Sequence, residues 1–178
     1  MDVMVQSHKL LLTIWRNTPD LLPLVLPTLE ANLKAADEAE IRALTTRTLG
    51  SMFSIRPRVG QSMAELSRSH PTTWKAWLGR KVDKVVAVRV AWVESTYDVL
   101  AEIGDLRREL EGELPLADIG SGLTTAELID RVADGSEQVR AAICKVIGKL
   151  DYETALNYIQ EATLKDIGLR LNDKKVRR

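Results

Sequence analysis

Four times along the 178-residue chain an aspartate is followed, three to five positions on, by a Val-Arg or Ile-Arg pair. Asp37 precedes Ile41-Arg42, Asp83 precedes Val88-Arg89, Asp134 precedes Val139-Arg140, and Asp173 precedes Val176-Arg177. The four arginines are 47, 51 and 37 residues apart, a period that belongs to stacked helical pairs and excludes most single-core globular designs.

Each copy has an apolar segment before its Asp ("LPTLEANL", "WKAWL", "AELIDRV", "EATLKDIGLRL") and another after it. Core-type residues recur at three and four, as in Leu44, Thr48, Leu49, Met52 and Phe53 and in Ile143, Val146, Ile147 and Leu150, with no convincing alternating strand. The reading is an all-α HEAT-repeat α-solenoid, a right-handed superhelical stack of antiparallel helix pairs. About eight helices are expected. The chain reads as a single segment, 1–178, with about three repeats plus partial repeats at both ends, beginning inside one helix B and stopping as another starts.

Asp37-x-x-Glu40, Thr124-x-x-Glu127 and Asp134-x-x-Glu137 read as capping boxes, and Thr18-Pro19 as a cap with Pro at the first helical position. Pro27 should kink its helix by removing a backbone donor. Residues 54–71 and 111–124, where Pro, Gly and Ser gather, read as inter-repeat loops.

In this frame the Asp closes the turn between helices A and B, and its carboxylate suits the positive end of helix B. The Val or Ile enters the core and the Arg points sideways, toward the Asp of a stacked repeat. Asp37, Arg42, Asp83, Arg89, Asp134 and Arg140 are therefore expected to cap turns and to form an Asp-Arg ladder along one edge.

Net charge is zero but banded. Residues 40–93 carry ten Lys/Arg against three Asp/Glu, and 98–137 carry three against eleven. At the turns, Arg80, Lys81 and Lys84, with Lys174, Lys175 and Arg177 near the C-terminus, are the candidate partner-binding residues. They form either a solvated ridge or a site for an anion or acidic peptide. Trp74, Trp77 and Trp92 also carry two readings. They are core residues of a two-layer solenoid, or they form a nucleic-acid stacking wall beside Asp83, in which case Trp74 or Trp77 must be exposed.

Catalytic, metal-binding and cofactor-binding residues are not expected. His8 and His70 lack partners at metal-ligand spacing, and "DIGSGLTT" lacks the Lys-Ser/Thr and preceding strand of a phosphate loop. Cys144, the one cysteine, sits in an apolar helix and reads as a core residue, which fits a reducing compartment. Neither a secretion signal nor a stretch approaching the ~20 apolar residues of a membrane span is visible.

Beyond the generic repeat, "DLLPLVLPTLEANLKAADEAEIRALTTRTLGSMF", "TWKAWLGRKVDKVVAVRVAWV", "VRAAICKVIGKLDYETAL" and "RLNDKK" fall in an order that resembles the cohesin-associated precocious-dissociation-of-sisters family. The resemblance covers roughly 10–175. It departs at Lys81 and Val82, where an aromatic and a polar residue are expected, and in a longer 111–124 stretch.

The resemblance implies a non-enzymatic, nuclear, chromatin-associated scaffold that regulates sister-chromatid cohesion. It also implies binding to the kleisin subunit of cohesin, work with the Wings-apart release factor, indirect DNA association and no membrane. Inositol hexakisphosphate is implied as a possible ligand of some relatives. The alternatives that the residues leave open are a HEAT adaptor of another pathway, such as a transport receptor or phosphatase scaffold, and a HEAT-like nucleic-acid enzyme.

Overall fold

Every regular element among the described residues is helical. The structure is a computed structural model, and it describes residues 2–35, 37–54, 69–109, 128 and 130–149. Its contacts divide the chain into two compact units, Met1–Ser121 and Gly122–Arg178. The division falls inside the 111–124 stretch that reads as an inter-repeat loop.

In the first unit α1 (Asp2–Asn17) leads through a 3-10 turn, Pro19–Leu21, into α2 (Leu22–Lys34). Next come α3 (Ala39–Ser54), α4 (Pro71–Leu78) with a 3-10 turn at Gly79–Val82, and α5 (Val86–Glu109). The pairs α2–α3 and α4–α5 are successive A–B repeats. Helix α3 packs most extensively against α5, α2 lies against α4, and α1 lies against α3 as a preceding helix B would. Pro19 therefore opens a 3-10 turn rather than α2, which has Pro23 in its first turn and runs on through Pro27 to Lys34.

The core follows the 3.6-residue period. Leu26, Leu29 and Leu33 of α2 are buried, as are Ala43, Leu49, Met52 and Phe53 of α3 and Val88, Ala91, Trp92, Val93 and Val99 of α5. Helices α3 and α5 approach closely where Gly50 faces Ser95. A Cβ placed on Gly50 would lie 2.4 Å from the Ser95 Cβ, so this crossing admits no side chain on the α3 partner.

All four tryptophans are buried. Phe53, Trp74, Trp77 and Trp92 form a chain of ring contacts with centroids 4.8 to 5.8 Å apart, and Phe53 meets Trp74 nearly perpendicularly at 85°. The Trp77 indole donates to the Thr46 carbonyl at 3.0 Å, and the Trp15 indole donates to Met52 O at 3.1 Å. No stacking wall is exposed by Trp74 or Trp77, so the nucleic-acid enzyme reading loses the feature it requires.

His8 is a packing residue. Buried on α1, its Nδ1 lies 2.6 Å from Thr48 Oγ1. With the Thr48 hydroxyl proton given to Leu44 O, Nδ1 is the donor of that contact, and burial holds the His8 pKa below the ordinary histidine value.

The second unit shows a shorter piece of the same design, a 3-10 turn at Asp130–Ala133 followed by α6 (Glu137–Ile147). Val139, Ala142, Ile143 and Val146 are buried, at i, i+3, i+4 and i+7. Cys144 lies beside this stripe and is only half-buried, which corrects its expected core position, and desolvation raises its thiol pKa.

Candidate functional site

The turn between α4 and α5 is built around the carboxylate of Asp83. Its Oδ1 accepts the Val85 N–H at 2.9 Å, an Asx turn that closes the A–B connection just ahead of α5. Arg42, reaching across from α3 of the preceding repeat, donates Nε to Oδ2 at 3.2 Å and Nη2 to Oδ1 at 3.4 Å. Arg80, in the same turn as Asp83, donates to Oδ2 at 3.0 Å.

Two guanidinium groups around one carboxylate leave a surplus positive charge, and the end of α2 absorbs it. Arg42 Nη1 donates to Ala35 O at 2.5 Å, and Arg80 Nη1 donates to Leu33 O at 2.9 Å. These carbonyls belong to the last turn and C-cap of α2, the negative end of its dipole, where the helix has no internal donors of its own. The Arg42 and Asp83 side chains are 3% and 4% exposed, so this pair is a buried joint between repeats and not a surface salt bridge. Burial alone would raise the Asp83 pKa. The Val85 N–H and the Arg42 and Arg80 guanidiniums outweigh that and hold it below the usual carboxylate range.

Arg89 turns back on its own repeat, donating to Asp83 O at 2.8 Å. The second unit repeats the device. Asp134 Oδ1 accepts the Ser136 N–H at 2.9 Å, Arg131 lies 3.8 Å from Asp134 Oδ2, and Arg140 donates to Asp134 O at 2.9 Å. Ser136, not Asp134, is the N-cap of α6, so the capping box expected at Asp134-x-x-Glu137 is instead an Asx turn two residues earlier. Its sequence signature is Arg-x-x-Asp-x5-Arg, at 80, 83 and 89 and again at 131, 134 and 140.

Asp37 does not take this position. It is exposed, five residues before Arg42, whereas the aspartate of the motif stands six before its arginine. Six positions before Arg42 the sequence offers no carboxylate, and Arg42 finds one in the next repeat. Arg131 escaped the sequence reading, although the repeated Arg-x-x-Asp spacing marks it.

Of the candidate partner-binding residues, Arg80 is committed to Asp83 and Leu33 O. Lys81 is half-buried and Lys84 is exposed on the same turn, on either side of Val82, which is 62% exposed. Lys174, Lys175 and Arg177 lie outside the described residues, as do Asp173, the Thr124-x-x-Glu127 box, most of the 54–71 stretch and all of 111–124. The guanidiniums of Arg42 and Arg80 converge on a carboxylate and on backbone carbonyls. Among the described residues no group of three or more His, Cys, Asp or Glu is arranged to hold a metal ion, and no helix is long and apolar enough to cross a membrane.

The turn edge thus carries an exposed apolar tip at Val82 with the basic side chains of Lys81 and Lys84 beside it. Comparison with known proteins agrees with the repeat architecture. Residues 1–177 match the family described as sister chromatid cohesion protein PDS5. The chain is 30% identical to sister chromatid cohesion protein pds5 of Schizosaccharomyces pombe, across 96% of this chain and 12% of that protein. It is 29% identical to the Saccharomyces cerevisiae protein PDS5 across 64% of this chain and 8% of that one. It thus spans about an eighth or less of these relatives.

Among solved structures, the one described as the Pds5–Scc1 complex superposes with a TM-score of 0.75 at 23% identity, over 99% of this chain and 24% of that chain. The fold is therefore the all-α HEAT-repeat type. A transport receptor or phosphatase scaffold is set aside by the family match. With its repeats, its Asp-Arg joint and a match running from end to end, the chain belongs to the sister chromatid cohesion PDS5 family.

Proposed function

We propose that this chain is a section of a non-enzymatic scaffold that regulates cohesin and sister-chromatid cohesion in the nucleus, by reversible binding and with no bond made or broken. The observation that carries this reading is the family match over residues 1–177. The architecture supports it. The four tryptophans and Phe53 are spent on the core, and Arg42, Arg80 and Asp83 are spent on the joint between repeats.

The partner in this reading is an extended acidic or amphipathic segment of cohesin's kleisin subunit, with the Wings-apart release factor acting on the same scaffold and DNA reached indirectly. The similar solved structure is a complex with Scc1, which favours a kleisin over other partners. Within the described residues the contact edge is the α4–α5 turn, through Lys81 and Lys84. Lys174, Lys175 and Arg177 extend it by sequence.

Binding of a fluorescent kleisin-derived peptide to the purified chain tests the proposal, with a variant carrying charge reversals at Lys81, Lys84, Lys174 and Lys175 beside wild type. Binding that charge reversal abolishes, with the helical circular dichroism unchanged, is the expected result. Absence of binding by folded wild type overturns the placement of the kleisin contact on this section.

A further inference from the structure

The only Ser-Pro or Thr-Pro step in the sequence is Thr18-Pro19, and it lies at the junction between α1 and the 3-10 turn. Thr18 is exposed, and so are Arg16, Asn17, Asp20, Leu21, Pro23 and Leu24 around it. Five helical threonine hydroxyls are spent, Thr13 on Lys9 O, Thr46 on Arg42 O, Thr48 on Leu44 O, Thr96 on Trp92 O and Thr73 on the Glu30 carboxylate, and that of Thr45 is buried. The Thr18 hydroxyl is spent on none of these roles. Its backbone is the junction itself. The Thr18 N–H closes the last turn of α1 on Ile14 O at 2.7 Å, and its carbonyl accepts the Leu21 N–H that forms the 3-10 turn.

We propose that Thr18 is a phosphorylation site for a proline-directed protein kinase, and that the modification loosens the C-terminal turn of α1 from α3. A kinase subsite that buries the position after the acceptor without offering a hydrogen-bond partner selects proline there, because any other residue would bury an unsatisfied N–H. In the transfer, Thr18 Oγ1 attacks the γ-phosphorus of ATP. A new P–O bond forms, the bond to the bridging oxygen of the β-phosphate breaks, ADP leaves, and the hydroxyl proton passes to the kinase's base.

The product carries a charge of about −2. It stands at the negative end of α1's dipole and two residues from Asp20, both unfavourable, with Arg16 the one nearby side chain of opposite sign. The strained turn is the one carrying Trp15, whose indole bond to Met52 O ties α1 to α3. This proposal stands independently of the kleisin reading.

The test is incubation of the folded chain with Mg-ATP and a proline-directed kinase, and separately with an Arg-directed kinase, followed by intact mass and fragment mapping. One phosphate at Thr18 with the first kinase and none there with the second is expected, and T18A and Pro19→Ala should each abolish it. Failure of the folded chain to accept phosphate while a peptide of residues 13–24 is modified overturns the site, as does incorporation that persists in T18A. Amide hydrogen exchange then reads the consequence. Residues 14–18 of the phosphorylated chain should exchange about two- to fivefold faster, the size of a helix-terminus charge effect. Unchanged exchange overturns the loosening.

Discussion

Arg42 and Asp83 stand 41 residues apart in sequence, in successive repeats, and meet through two hydrogen bonds in a site that water barely reaches. Such a pair contributes little net stability over an apolar substitute, yet losing one partner strands the other. Arg42→Met should therefore destabilise the chain by about 3–5 kcal/mol in urea denaturation. Asp83→Ala, which strands two guanidiniums, should cost at least as much. A loss under 1 kcal/mol in either would mean the joint is solvated in solution.

Arg80 and Lys84 share the turn but differ in employment. Lys84→Glu should leave the unfolding midpoint within about 0.5 kcal/mol of wild type, as an exposed substitution does. Arg80→Glu should destabilise by more than 1 kcal/mol, because it places a carboxylate against Asp83 and the Leu33 carbonyl. Any loss of partner binding in the first variant then reports contact, and in the second it reports folding.

Gly50→Ala should destabilise by about 1–2 kcal/mol. Overpacking against Ser95 costs roughly 1–3 kcal/mol, and the gain in helix propensity of up to about 1 kcal/mol offsets only part of it. Adding Ser95→Gly removes the obstructing Cβ and should recover most of the packing loss. A double-mutant cycle with no coupling would show that the helices are farther apart than the structure has them.

Acid should act in two stages. The pKa of His8 is lowered in the folded state by burial, so the unfolded chain takes up its proton first, and stability falls as pH drops below about 6.5. His70 shifts the same way, by burial partly opposed by Glu30. The Asp83 pKa is lowered by its donors despite burial, so its contribution is complete above about pH 4 and is lost as pH falls through the folded value. Urea midpoints across this range should show the upper stage flattened in His8→Gln and the lower one flattened in Asp83→Asn. A profile unchanged by His8→Gln would place that imidazole in water.

How far the sequence reaches is visible in single residues. The helical repeat was legible because core positions recur at three and four and each turn carries an Asp. The tryptophans left two readings open, since spacing does not tell a buried stripe from an exposed one. Only the neighbours Phe53 and Thr46, brought together by the fold, decide it.

Asp37 resembles the turn aspartates only if the distance to the Val-Arg pair is free to vary. The turn fixes it, since the arginine must reach a carbonyl six residues back in both complete copies. Arg131 went unnoticed for the same reason. The pairing of His8 with Thr48 joins residues 40 apart and leaves no local mark.

The two straps at the joint run in opposite senses. Arg42 leaves the first repeat to grip a carboxylate of the second, and Arg80 leaves the second to grip a carbonyl of the first. A force pulling the repeats apart along this edge would load both straps together and could not peel them one after the other. Under tension the edge should behave as a stiff seam that yields in a single step, and any compliance in the array must come from elsewhere.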